Sequence, residues 1–154
     1  TSVLIASSIK MGGIINQLDS GELDILYDIG LNLGIAFQIQ DDYLDLFGDE
    51  KIIGKKVGQD VTKNKKTALH HLFVNTASEA QLSKYHDYTN INNDDEKIEK
   101  IKSLFIESDV EKSLKKLVQE YSNNATSAIE SLNPKFSKTS ELILLSEFLL
   151  KRNY

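Results

Sequence analysis

Three aspartates fall within five residues, Asp41, Asp42 and Asp45, in the run Phe37-Gln38-Ile39-Gln40-Asp41-Asp42-Tyr43-Leu44-Asp45. At about 100° per helical residue, Asp41 and Asp45 lie about 40° apart and one turn apart along a helix. Asp42 takes the adjacent flank, and Gln38 stands one turn before Asp41. Carboxylates this close repel one another unless something positive compensates. An exposed acidic flank is the plain alternative, yet the neighbours Ile35, Ala36, Phe37, Ile39, Leu44, Leu46 and Phe47 read as buried. A few hard oxygen ligands suit Mg²⁺, which keeps several waters and takes further ligands from substrate phosphates. A calcium loop starting at Asp41 would need glycine at its sixth position, where Leu46 stands, so an EF-hand is excluded.

Positive charge follows within one segment. Gly54-Lys55-Lys56-Val57-Gly58-Gln59-Asp60 and Lys65-Lys66-Thr67 place lysines on glycine-containing chain. Ammonium groups bind phosphate as compact charges, and glycine lets the backbone fold back tightly. A lysine- and glycine-rich loop alone is more often just solvated. Coming directly after clustered carboxylates, it describes a site for a metal-complexed diphosphate.

The elements that must position these groups are helices. With a single proline in 154 residues, little stops them. Val3, Leu4, Ser7, Ser8, Met11, Ile14 and Ile15 repeat at three and four residues, which predicts a helix burying that face. Asp19-Ser20-Gly21 breaks it, and a long helix is expected from Glu22 to about Phe47, with Gly30 and Gly34 on one face. Mid-helix glycine costs roughly 1 kcal/mol against alanine, so the pair points to close approach by a helix or a ligand, plain helix packing first. Residues 48–66 have no clear apolar period and are expected as a loop. Further helices are expected over Ala68–Asn75, capped by Thr67, over Glu79–Tyr88, and after the acidic start Asp94-Asp95-Glu96. Val110 to Leu132 reads as an amphipathic helix ended by Asn133-Pro134. Ser140 to Lys151 reads as another, apolar at Leu142, Ile143, Leu145, Phe148 and Leu149. The expected fold class is all-α.

Composition narrows the functions. Eighteen basic against 23 acidic residues give a net charge of −5, and Arg152 is the sole arginine, which disfavours a nucleic-acid partner. No cysteine means no disulfide, thiolate metal site or cysteine nucleophile. No apolar run is long enough for a membrane span and no signal peptide is evident, so a cytoplasmic protein is expected. The length suits one domain, although the first residue is Thr1 rather than methionine, as in a piece of something larger. His70-His71 reads as a surface or partly buried pair, Tyr85 and Tyr88 as core and cover, and Lys112, Lys115 and Lys116 as a solvated face.

The pattern F-Q-x-x-D-D-x-x-D followed by G-K-x-x-G-x-D-x-x-x-x-K-K-T resembles the second aspartate-rich region of the trans-isoprenyl diphosphate synthases, the farnesyl, geranylgeranyl and longer polyprenyl diphosphate synthases. The resemblance extends along the chain. Thr1-Ser2-Val3-Leu4 with Ser7, Ser8 and Gly12-Gly13 is similar to an upstream helix of the family. Ser108-Asp109-Val110, Tyr121, Ala125 and Leu132 resemble its penultimate helix, and Phe148 with Lys151-Arg152 resembles its ending.

The resemblance implies an isoprenoid-synthase helical bundle and roles for particular residues. Asp41 would ligate Mg²⁺ on the allylic diphosphate, with Asp42 and Asp45 supporting it directly or through water. Lys55 and Lys65, with Lys66, would contact the diphosphate, and Asp60 would order the loop between the lysines. Gln38 would face the cavity and Phe37 line it. Thr1 matches the threonine of a lysine–threonine pair whose lysine would precede residue 1. The implied reaction joins an allylic diphosphate to isopentenyl diphosphate by ionisation, condensation and elimination, in a homodimer when full length. Nothing matches the family's first aspartate-rich motif, so residues 1–154 are expected to be the C-terminal half of the synthase domain, inactive alone. That half would hold the motif at 37–45, the lysine loop at 48–67 and C-terminal helices at 79–151. A class I terpene cyclase and a non-catalytic helical subunit regulating a prenyl synthase are the alternatives. The phenylalanine–glutamine pair and lysine loop argue against the first, and the intact aspartates against the second.

Overall fold

A computed structural model describes residues 1–132 and 139–150. Nine helices are found among them, α1 (Ser2–Ile15), α2 (Ser20–Phe47), α3 (Glu50–Ile53), α4 (Gln59–Thr62), α5 (Ala68–Thr76), α6 (Glu79–Thr89), α7 (Asp94–Glu107), α8 (Val110–Ser131) and α9 (Thr139–Leu150), and no strand. The all-α expectation holds. Caps account for most starts. Asp19 and Glu22 exchange side-chain-to-amide hydrogen bonds of 2.9 and 3.0 Å before α2, Ser78 forms a capping box with Gln81, and Asn93 accepts from the Glu96 amide at 2.9 Å. Among the described residues no helix is long and apolar enough to cross a membrane. The expected stop at Asn133-Pro134 and the Lys151-Arg152 ending lie outside the described residues.

The chain divides into two compact units, one formed by Thr1–Gln38 and the described residues from Leu117 onward, the other by Ile39–Lys116. In the first unit Leu26, Ile29 and Leu33 of α2 pack with Ala125, Ile129 and Leu132, and with Leu142 and Leu149 of α9. The face of α1 expected to be buried is instead the exposed one. Val3, Leu4, Met11, Ile14 and Ile15 are more than half exposed, while Ala6 and Gly13 are buried. The reason is close approach. A Cβ at Gly30 would stand 2.5 Å from Ala6 Cα, and one at Gly34 would stand 2.5 Å from Ser2 Cα. Small residues let α1 and α2 meet backbone to backbone, so size rather than hydrophobicity selects the inner face. The glycine pair therefore serves helix packing. α9 departs in the same way, with Ile143, Leu145 and Phe148 exposed and Ser146 buried.

The second unit centres on aromatic packing. Phe73 of α5, Phe105 of α7 and Tyr85 of α6 meet at ring separations of 5.2 to 5.9 Å, with Leu69, Ile101 and Leu104 buried nearby in sequence on the same helices. Within residues 48–66 the structure places α3 and α4 where an irregular loop was expected. Each is a single turn, too short to leave an apolar period. Asp49 caps α3 through the Lys51 amide, Gly54 ends it at φ 71°, and Gly58 opens α4 at φ 78°.

Candidate functional site: carboxylates bonded to the lysine segment

α2 runs unbroken through Asp41, Asp42 and Asp45, and the segment after it returns to two of these carboxylates. Asp42 Oδ2 accepts the amide of Ala68, the first residue of α5, at 2.8 Å. Asp45 Oδ2 accepts the amide of Asp60, in α4, at 2.9 Å, and its main-chain carbonyl accepts the Gly58 amide. The Asp60 carboxylate in turn holds the Lys65 ammonium at 2.6 Å, while the Lys65 amide donates to the Asp60 carbonyl at 2.9 Å. One helix end thus fixes both ends of the segment that carries Lys65. Asp41 makes no hydrogen bond or ion pair among the described residues and is half-buried.

Gly58 is needed for two separate reasons. Its φ is left-handed, and a Cβ there would meet the Ile98 side chain at 2.6 Å. On the far flank Tyr43 donates to Glu111 Oε1 at 3.1 Å, Glu111 pairs with Lys115 at 2.6 Å, and the Lys115 ammonium lies 5.1 Å from the Tyr43 ring centre. Tyr43 also stacks on Phe47 at 5.1 Å. These contacts hold the aspartate-bearing turns of α2 by their other side.

Burial pushes the Asp42 and Asp45 carboxyls above the ordinary aspartate range. The backbone amides oppose this, the nearby Asp60 charge adds to it for both, and Asp41 adds to it for Asp42. Lys65 is raised by its hydrogen bond to Asp60. Lys65 opposes the shift of both carboxyls and Lys55 that of Asp45, so the cluster is partly compensated by the lysines that follow it. No trio of acidic or histidine side chains is arranged as a closed metal cage among the described residues. The carboxylate oxygens of Asp41, Asp42 and Asp45 that are not bonded to amides are hard donors of the kind Mg²⁺ takes, one or two at a time, with water and phosphate oxygens.

Lys55 and Lys66 are exposed and make no hydrogen bond or ion pair among the described residues. Thr1, Phe37 and Gln38 belong to the first unit. Thr1 precedes α1 without a side-chain cap, Phe37 is half-buried and Gln38 is exposed. His70 is partly buried, as the reading of a surface or partly buried pair allows, and it borders the aspartates. Its Nδ1 is buried without a hydrogen-bond partner beside a cavity the size of one water molecule, bordered also by Asp42, Asp45 and Lys65. Burial, then His71 and Lys66, lower its pKa. Its place three residues after Thr67 was the available signal, since the Thr67 hydroxyl accepts the His70 amide and sets α5 against the aspartates.

Residues 1–107 match the family model described as polyprenyl synthetase. The geranylgeranyl diphosphate synthase of Saccharolobus solfataricus is 45% identical over 80 residues, 52% of this chain and 23% of that protein. The farnesyl pyrophosphate synthase of Nezara viridula is 36% identical over 130 residues, 84% of this chain and 31% of that protein. The crystal structure of geranylgeranyl pyrophosphate synthetase from Pyrococcus horikoshii superposes with a TM-score of 0.84 at 35% identity, covering 99% of this chain and 46% of that one. The chain spans less than half the length of these proteins. Aspartates bonded to a lysine segment lie inside the matched stretch, on helices arranged as in a solved synthase, and the chain belongs to the polyprenyl synthetase family.

Proposed function

We propose that this chain is the C-terminal half of a trans-prenyltransferase, carrying the metal- and diphosphate-binding side of the reaction. The observation that supports it most is the tie from Asp45 through Asp60 to Lys65, which presents carboxylate and ammonium from one compact unit. In this reading Asp41 is the direct Mg²⁺ ligand, having no competing partner, while Asp42 and Asp45 support it with the oxygens not bonded to amides. Bound Mg²⁺ supplies positive charge to the diphosphate as it departs. Lys55 and Lys65, with Lys66 beside them, neutralise the remaining phosphate oxygens as negative charge builds there. Thr1 and Gln38 serve substrate binding, and Phe37 lines the pocket for the prenyl chain.

The substrates are an allylic diphosphate and isopentenyl diphosphate. The allylic carbon–oxygen bond breaks, the isopentenyl double bond attacks the cation to form a carbon–carbon bond, and a proton leaves the new chain. The reaction requires a cavity that excludes water, which would quench the cation. The full-length enzyme is a cytoplasmic homodimer, and the 154-residue chain alone does not turn over. The test is incorporation of radiolabelled isopentenyl diphosphate by a full-length form and by this chain, each beside Asp41→Ala. Turnover in the full-length form that falls by at least about a hundredfold in Asp41→Ala is expected. Equal turnover in both, or turnover by this chain alone, would contradict the reading.

A further inference from the structure

We propose that Lys97 is a positioning residue for the lysine segment, holding α4 from behind so that Asp60 and Lys65 keep their places. This rests on the reading that the segment receives diphosphate. Lys97 is the one lysine buried among the described residues, at 4% exposure, and it belongs to no carboxylate pair. An ammonium taken from water needs acceptors. Its Nζ donates to the Thr62 carbonyl at 3.4 Å.

Thr62 is the last residue of α4, so its carbonyl has no partner within the helix. No amide among the described residues reaches it, which leaves Lys97 as its donor. The next residues are Lys63, Asn64 and Lys65, whose amides turn back onto Gln59, Val61 and Asp60. The direction of the α4 end therefore decides where Lys65 emerges. Asp45 holds the front of α4 through the Asp60 amide, and Lys97 holds its end. Two more contacts come from the same helix. Asp95 pairs with Lys56 at 2.8 Å, and Ile98 occupies the space over Gly58 that a side chain there would need. The first turns of α7 thus form the platform on which the segment is built. Its acidic start, which reads from sequence as dipole compensation alone, supplies one of these ties.

In Lys97→Met the loss of a buried charge and the loss of the Thr62 donor act in opposite directions on global stability, so the local readout separates positioning from folding. The thermal midpoint of Lys97→Met in this 154-residue chain should shift by only a few degrees. Amide hydrogen exchange at Lys63, Asn64 and Lys65 should accelerate by about tenfold, with Ile29 and Leu33 unchanged. Inorganic diphosphate with Mg²⁺ should bind about tenfold more weakly, and Lys97→Arg should recover both properties. Should Lys97→Met fail to fold, Lys97→Gln is compared with wild type by the same exchange measurement. Unchanged exchange at the three amides in the folded variant would overturn the proposal. If wild type shows no Mg²⁺-dependent diphosphate binding, the functional reading fails, while the exchange comparison still decides the part played by Lys97.

Discussion

Asp45 offers a quantitative test, because its carboxylate does two opposed things. It accepts the Asp60 amide at 2.9 Å, and it places charge at a position only 7% exposed. In Asp45→Ala the Asp60 amide loses its acceptor, which for a buried donor costs about 1–3 kcal/mol. Relief of the buried charge offsets part of that, leaving a net loss of about 1 kcal/mol or slightly more. In Asp45→Asn the side-chain oxygen can still accept from the amide while the charge is gone. The predicted order of metal-free stability is therefore Asp45→Asn at or above wild type, with Asp45→Ala below both. Urea unfolding followed by far-ultraviolet circular dichroism reads this directly. With a slope of about 1–2 kcal/mol per molar, the alanine midpoint should fall by roughly 0.5–1 M. Equal loss in both variants would refute the claim that the oxygen acceptor, not the charge, anchors α4. No loss in alanine would refute the anchor itself.

The same carboxyls set a pH dependence. Burial raises Asp42 and Asp45 in the folded chain, so the folded state holds their protons more tightly than the unfolded one. Their contribution is fully present below the unfolded pKa and is lost as pH rises through the raised folded values. The stability of Asp45→Asn relative to wild type should therefore increase between about pH 4 and pH 7, and a flat difference would count against it. The difference is the useful quantity because Glu111, lowered chiefly by its hydrogen bond to Lys115, acts in the opposite direction. In the first unit, Gly12→Ala adds a Cβ that meets nothing within 4 Å and should gain up to about 1 kcal/mol of helix propensity. Gly30→Ala has the same propensity gain but strikes the Ala6 backbone, and should lose about 2 kcal/mol net, lowering the thermal midpoint by roughly 5 °C. Two glycine substitutions of the same sign would contradict the close approach of α1 and α2.

Much of the fold is legible in the sequence because helix periodicity and caps are local. Thr67, Ser78 and Asn93 cap the helices that follow them. The aspartate spacing and the lysines after it read as a metal–diphosphate site from residue type and order alone. Which face turns inward is less legible wherever both faces are apolar. On α1 the inner face is chosen by Ala6 and Gly13, residues whose value lies in what they omit. Legibility ends at contacts distant in sequence. Asp42 reaches Ala68 26 residues on, and Lys97 reaches back 35 residues to Thr62. Neither interaction leaves a periodic trace. His70 reads as surface or partly buried, and although Thr67 marks the start of α5, nothing in the sequence reveals that this start rests on an aspartate.

The most direct test of the central claim is calorimetric titration of this chain with inorganic diphosphate, with and without Mg²⁺, for wild type, Asp41→Ala and Lys65→Met. Binding should require the metal, disappear in Asp41→Ala and weaken by about tenfold in Lys65→Met without a change in its metal requirement. Binding that ignores Mg²⁺, or that survives intact in Asp41→Ala, would contradict the claim.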